Sequence, residues 1–325
     1  MILILNSDTG DFSHIEIINW LEFYNADYLV LTGESLMRGN VKFEYTIDDI
    51  FLNGISLKNI SVVLYRRWQY PYQFQISKDK ILNEAIVSNL FNESIEIRNL
   101  LFEELKDAVW FPSPKRVAIN KLLMLKEAKR VGLRVPDTIV TTEKKQLIRF
   151  MKSHNNRVIT KAIGNYLPVT SSDGITFNPI FTKIINIDDI RASTASTFSN
   201  SLFQEYLPKA FELRIFYFNN KFFSTALMSQ HNEITQIDSR VTENLRGSKL
   251  VPYKLPRNIE KQLISFLKNV ELNTGSIDMI VTPDGDFYFL EINPVGQIAG
   301  YSRRTGQCME RFIAEQLIKI DERVR

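Results

Sequence analysis

The segment Gly275-Ser-Ile-Asp-Met-Ile-Val-Thr-Pro-Asp-Gly-Asp-Phe-Tyr-Phe-Leu-Glu-Ile-Asn-Pro294 constrains this chain more than any other. Asp284-Gly285 stands between two runs rich in β-branched and aromatic residues, a strong hairpin signal. With those two residues as the turn, Asp278 faces Glu291 across the strands. Glu291 and Asn293 are two apart and share a face. Three oxygen-bearing side chains therefore converge, with facing Cβ atoms ~5 Å apart. Ile277, Met279, Val281, Tyr288, Leu290 and Ile292 fall on the other face and are expected to be buried. Facing carboxylates repel unless a positive charge lies between them. Hard oxygen donors without thiolates suit Mg²⁺ or Mn²⁺. Strand-end polar groups at a surface are the plainer reading, and the facing Asp in register speaks against it.

The rest of the composition narrows the class. At 325 residues the chain is too long for one small core and suits two or three lobes. Forty Lys+Arg against 37 Asp+Glu leave +3, too near neutral to imply a nucleic-acid or membrane partner. The one cysteine, Cys308, forbids an internal disulfide and any multi-cysteine metal site, and it suits a reducing cytosol. The N-terminus lacks a basic region and carries too short an apolar run for a signal peptide. No apolar stretch approaches the ~20 residues of a spanning helix, so a cytoplasmic protein is expected.

Met1–Leu5, Tyr28–Leu31 and Ser61–Tyr65 read as strands, with a helix over Ser13–Asn25 between the first two. That order is the cue for an open parallel α/β sheet. A helical region covers Lys78–Leu105, and Phe111-Pro-Ser-Pro114 marks a boundary. Beyond it come a helix over Ile119–Val131, strands at Thr138–Thr141 and Arg157–Lys161, and a polar loop, Asn165–Asn178. The last third is β-rich, with helices expected at Arg257–Asn269 and Ser302–Ile320. The expected division is 1–112, 113–200 and 201–325.

No P-loop and no G-x-G-x-x-G is present, so a nucleotide site would have to rely on lysines. Lys161 ends an apolar strand and Lys121 starts a helix; alone, each is an ordinary surface lysine. Gln204-Glu205-Tyr206-Leu207 joins two strand-like runs, and Pro208 interrupts pairing there. Such a gap frees the backbone N–H and C=O groups that an adenine edge requires. Glu212 and Arg214 then share one face of a strand. An acidic residue accepts ribose hydroxyls, and an arginine stabilises a transferring phosphoryl group. A plain Glu–Arg surface pair is the competing reading.

Together these segments, from about Pro114 onward, resemble an ATP-grasp ligase. The resemblance implies an α/β ATP-grasp fold, in which an N-terminal open α/β domain precedes central and C-terminal α+β lobes that sandwich ATP. Lys121 and Lys161 would bind ATP phosphates, Gln204, Glu205, Tyr206 and Leu207 would hold adenine, and Glu212 would bind ribose. Asp278, Glu291 and Asn293 would hold Mg²⁺, and Arg214 would stabilise the acyl phosphate. Leu64-Tyr-Arg-Arg-Trp68 and Phe289-Leu-Glu-Ile-Asn-Pro-Val-Gly-Gln297 are similar to the microviridin-type ligases that macrocyclise ribosomal peptides, the graspetide synthetases. Within that group the chain looks closest to the grasp-with-spasm maturases. Glutamate-adding relatives carry a basic residue where this chain has Ala226-Leu-Met-Ser-Gln230, and Arg240 would supply that charge.

The implied partner is a precursor peptide with a leader and a core bearing Ser/Thr and Asp/Glu. ATP would convert a core carboxylate into an acyl phosphate, which a hydroxyl attacks to give an ester ring. The alternative is a carboxylate–amine ligase that forms an amide. Neither nucleic acid nor membrane is implied, and many relatives are homodimers. The leader-docking surface is not evident; Lys78–Leu105 is one candidate, with ordinary packing on the first sheet as the plainer reading. No general base stands out. His14, His154 and His231 read as surface residues, His231 being the nearest to the site, and Cys308 as a core thiol on the last helix.

Overall fold

The five residues Ile2–Asn6 form strand β1 and are all buried, as the middle of a parallel sheet requires. Residues 1–7, 12–68, 75–164, 169–171, 173, 176–177, 182–228 and 249–324 are described by the structure, a computed structural model. Helix α1 (Ser13–Phe23) leads to β2 (Tyr28–Thr32) and the short α2 (Gly33–Met37). A small antiparallel sheet of β3 (Phe43–Tyr45), β4 (Ile50–Leu52) and β5 (Ile55–Ser56) follows. Next come β6 (Val62–Tyr65), the long α3 (Lys80–Glu104) and β7 (Val109–Phe111). The first sheet has the order β2-β1-β6-β7, parallel throughout.

The central segment begins with α4 (Lys121–Arg130), which Asn120 caps: its Oδ1 accepts the N–H groups of Leu122 and Leu123 at 2.9 and 3.1 Å. Then follow β8 (Thr138–Glu143), α5 (Lys144–Lys152) and β9 (Arg157–Lys161). The paired β10 (Val169–Thr170) and β11 (Thr176–Phe177) precede β12 (Lys183–Asn186), α6 (Ile187–Ala192) and β13 (Thr197–Glu205). Their sheet is antiparallel, in the order β12-β9-β13-β8. Val158 and Phe203 on one face pack on Leu147 and Met151 of α5.

The last sheet is antiparallel and joins β14 (Phe211–Phe218), β15 (Lys221–Met228), β16 (Lys249–Tyr253), β17 (Thr274–Val281) and β18 (Phe287–Asn293). Helix α7 (Arg257–Asn269) precedes β17, and α8 (Ala299–Thr305) and α9 (Met309–Val324) end the fold. Alternation gives this sheet two different faces. Leu213, Ile215, Ile277, Met279, Phe289 and Ile292 form a core with Ile259, Leu263, Phe266 and Leu267 of α7, which recur at helical spacing. On the other face, Phe216 and Phe218 of β14 pack against Ile313 and Leu317 of α9 and Leu64 of β6. The first sheet is thereby tied to the last, with α3 residues Leu101 and Leu105 of the following turn on its far side. Among the described residues no helix is long and apolar enough to cross a membrane.

Several expectations are corrected. The helix expected over Ser302–Ile320 is two helices, broken where Gly306 takes φ +66° and Cys308 φ +49°. Cys308 is exposed in that break rather than a core thiol. The hairpin also differs in detail. Gly285 has φ +84°, its N–H donates to Thr282 O, and Thr282 N–H donates to Asp286 O, so the loop holds three residues rather than two. That alone would slide Glu291 off Asp278. A bulge between the Asp278–Glu291 and Met279–Phe289 pairs restores the register. As a result Phe289 enters the core, while Tyr288 and Leu290, expected inside, stay partly exposed.

Candidate active site

A cavity of about 260 Å³ opens between the central and last sheets. Each sheet contributes the face that its core leaves over. From the central sheet come Ile159 and Lys161 of β9 and Gln204 and Glu205 of β13. From the last come Glu212 and Arg214 of β14, Asp278 and Ile280 of β17, and Leu290 and Glu291 of β18.

The register arranges the charged groups as one row across three strands. Arg214 pairs with Asp278, and Asp278 pairs with Glu291. Arg214 Nη1 donates to both Asp278 oxygens, at 2.9 and 2.8 Å. Lys121 Nζ, brought by the first residue of α4, lies 3.1 Å from Glu291 Oε2. The repulsion between facing carboxylates is thus offset by one cation on each side. Burial holds the Asp278 carboxyl above the usual aspartate range, against the pull of Arg214. Burial also opposes the Arg214 charge, but Asp278 and the more distant Glu291 outweigh it, so the guanidinium stays charged.

Asn293, two residues beyond Glu291, is exposed, and its Oδ1 accepts the Val295 N–H at 3.1 Å. Among the described residues no three His, Cys, Asp or Glu side chains cluster closely enough to hold a metal. The donor set here, two carboxylates in register with an amide oxygen on the same face, fits a hard divalent cation that also takes oxygens from its substrate. Asp278, Glu291 and Asn293 therefore suit Mg²⁺.

At the other end, Gln204 is buried, and its Nε2 donates to Thr138 Oγ1 at 2.8 Å. The Asp137 N–H donates to Glu205 Oε1 at 2.9 Å, and the Arg157 guanidinium lies 3.9 Å above the Tyr206 ring. These contacts fix the Gln204–Leu207 connection between the sheets. Glu212 is no surface partner of Arg214; the ammonium of Lys209 holds its carboxylate. Arg240, His231 and most of the Asn165–Asn178 loop lie outside the described residues.

Lys209, Gln297 and Tyr301 also line the cavity and were not expected from the sequence. Lys209 follows Pro208 in the connection, which was the one available hint. The first sheet contributes too. Arg66, buried at the end of β6, donates from Nη2 to Gly296 O at 2.9 Å.

No protein-family profile and no curated protein matches this sequence. Solved structures do match over nearly the whole chain. Macrocyclase MdnC from Microcystis aeruginosa, solved with precursor peptide MdnA, is 26% identical, with 98% of this chain and 99% of that chain covered and a TM-score of 0.78. A RiPP-associated ATP-grasp ligase from Chryseobacterium gregarium, solved with ADP and a leader and core peptide, is 24% identical (97% and 96% covered, TM-score 0.80). The ATP-grasp ligase PsnB, solved with a precursor variant, Mg and ADP, is 16% identical (98% and 98%, TM-score 0.75) and shares the fold. In fold and in cleft the chain is similar to ATP-grasp ligases of the graspetide macrocyclase type.

Proposed function

We propose that the chain uses ATP to close side-chain rings in a ribosomally made precursor peptide, joining Asp or Glu carboxyls to Ser or Thr hydroxyls as esters. The observation that carries this reading is the row Arg214–Asp278–Glu291–Lys121 at the cavity between two sheets. It gathers the cations and hard oxygen donors that phosphoryl transfer needs, with no protein nucleophile among them.

In this reading Gln204, Glu205, Tyr206 and Leu207 hold the adenine, Glu212 takes the ribose hydroxyls, and Lys121 and Lys161 take phosphates. Asp278, Glu291 and Asn293 hold Mg²⁺, which supplies charge neutralisation on the phosphate oxygens. A peptide carboxylate oxygen attacks the γ-phosphorus and ADP leaves. A peptide hydroxyl then attacks the acyl carbon, losing its proton as phosphate departs. Arg214 faces the charge that builds on the acyl phosphate. Arg240 is assigned beside it on the resemblance alone. The lobes are taken as 1–112, 113–200 and 201–325, with β13 running on to Glu205 in the central lobe. The reaction is placed in the cytoplasm, where ATP is available.

Hydroxylamine tests the activation step. Added to enzyme, ATP, Mg²⁺ and a precursor with a Ser/Thr- and Asp/Glu-containing core, it should trap hydroxamates on the core acidic residues. ATP turnover without hydroxamate or ring would contradict the reading. Mild alkaline hydrolysis of the product restores the linear mass if the rings are esters, and leaves it unchanged if they are amides.

A further inference from the structure

Lys209 is an unusual lysine. Its side chain is only 6% exposed although it lies in a connection between sheets, and it lines the cavity. A buried ammonium is costly unless paired. Its ammonium is hydrogen-bonded to Glu212 Oε1. Glu212 is itself mostly buried, at 19%, and shares its face with Arg214 and its row with Ile280 of β17 and Leu227 of β15, both apolar. Within that row the neighbouring strands offer no charge. Lys209 is a cation that salt-bridges Glu212, and it stands two residues beyond the Gln204–Leu207 connection assigned to the nucleobase.

We infer that Lys209 is a positioning residue: it fixes the Glu212 carboxylate so that one oxygen is presented to the ribose hydroxyls of the nucleotide, and it couples sugar recognition to the adenine-holding connection. This deepens the assignment of Glu212 to ribose and rests on it. The physical argument is rotameric. A Glu side chain has three torsions, and a hydrogen bond offered by a carboxylate already held in place is stronger than one that must first order the chain.

The test uses binding rather than turnover. Isothermal titration calorimetry with Mg·ADP and Mg·2′,3′-dideoxy-ADP measures how much the protein gains from the ribose hydroxyls. The native chain should favour ADP by about tenfold, the scale of one to two charge-assisted hydrogen bonds. Lys209→Met should lose most of that preference, weakening ADP but barely changing the dideoxy analogue. Lys209→Arg should keep it. Lys209→Met added to Glu212→Gln should weaken ADP no further than Glu212→Gln alone. Equal weakening of both nucleotides by Lys209→Met would mean that Lys209 touches phosphate, and would overturn the proposal. So would an unchanged preference in Lys209→Met while the native chain discriminates. If the native chain binds both nucleotides equally, the ribose role of Glu212 falls, and the role of Lys209 falls with it.

Discussion

Arg214 on β14 and Asp278 on β17 are direct cross-strand partners, and one guanidinium nitrogen serves both carboxylate oxygens at 2.9 and 2.8 Å. The pair lies at the centre of the row that runs on to Glu291 and Lys121. In the proposed function it has two duties, holding the strands' polar face together and presenting a cation to the reaction. These separate by mutation. Asp278→Ala leaves a half-buried guanidinium without its carboxylate partner and should cost about 1–3 kcal/mol in urea unfolding. Arg214→Lys keeps the charge but not the fork, so folding should persist while turnover falls by about 10²–10³. Equal loss of turnover and stability in Arg214→Lys would remove the catalytic role.

Gly296 sits where no side chain fits. A Cβ there would lie 2.3 Å from Ser276 Oγ, 2.4 Å from Ser276 Cβ and 2.9 Å from Arg214 Nη2. Gly296→Ala should therefore displace Arg214, lowering turnover and costing about 1–3 kcal/mol by overpacking. Adding Ser276→Gly removes the nearest clash and should restore part of both. Thermal unfolding and peptide-dependent ADP release read the two effects separately.

Much of this was legible in the sequence, because periodicity, turn chemistry and order along the chain are local properties. The facing of Asp278 and Glu291 was foreseeable from Asp284-Gly285, although two departures cancel to produce it: a three-residue loop and a bulge. The bulge itself is not legible, because Leu290 and Phe289 are both apolar and only packing decides which one enters the core. The break at Gly306 has a local signal, a glycine inside the expected helix. Arg66–Gly296 and Arg214–Asp278 join residues far apart in the chain, and nothing in either local sequence points to the other. The burial of Lys209 has no local signal, because it follows from how the two sheets approach.

Arg66 links the first sheet to the turn that backs the site, through its bond to Gly296 O. Arg66→Ala would leave that carbonyl without this buried donor, at a cost of about 1–3 kcal/mol. Because Gly296 packs on Arg214, turnover should fall more than nucleotide affinity does. Calorimetric ADP binding beside a turnover assay checks this; a change in affinity alone would contradict it.

Glu310, the second residue of α9, has its carboxyl buried against the Ser302 hydroxyl. Burial raises it above the ordinary glutamate range, although the Ser302 bond works the other way. The folded chain then holds this proton at a pH where the unfolded chain has released it. Stability from this group is present below the ordinary glutamate value and is lost as pH rises through the raised one. Glu310→Gln should flatten that slope, so that the variant gains on the native chain between mildly acidic and neutral buffer. Urea unfolding in both buffers measures it, and parallel slopes would contradict the assignment.

The most direct test of the central claim is the intact mass of a precursor peptide after incubation with the chain, ATP and Mg²⁺. The account predicts the loss of one water for each ring, with no added mass, abolished in Glu291→Ala while that variant still folds. An unchanged mass with folded, ATP-binding enzyme, or the gain of an amino acid, would contradict ring closure and leave a ligase that joins separate molecules.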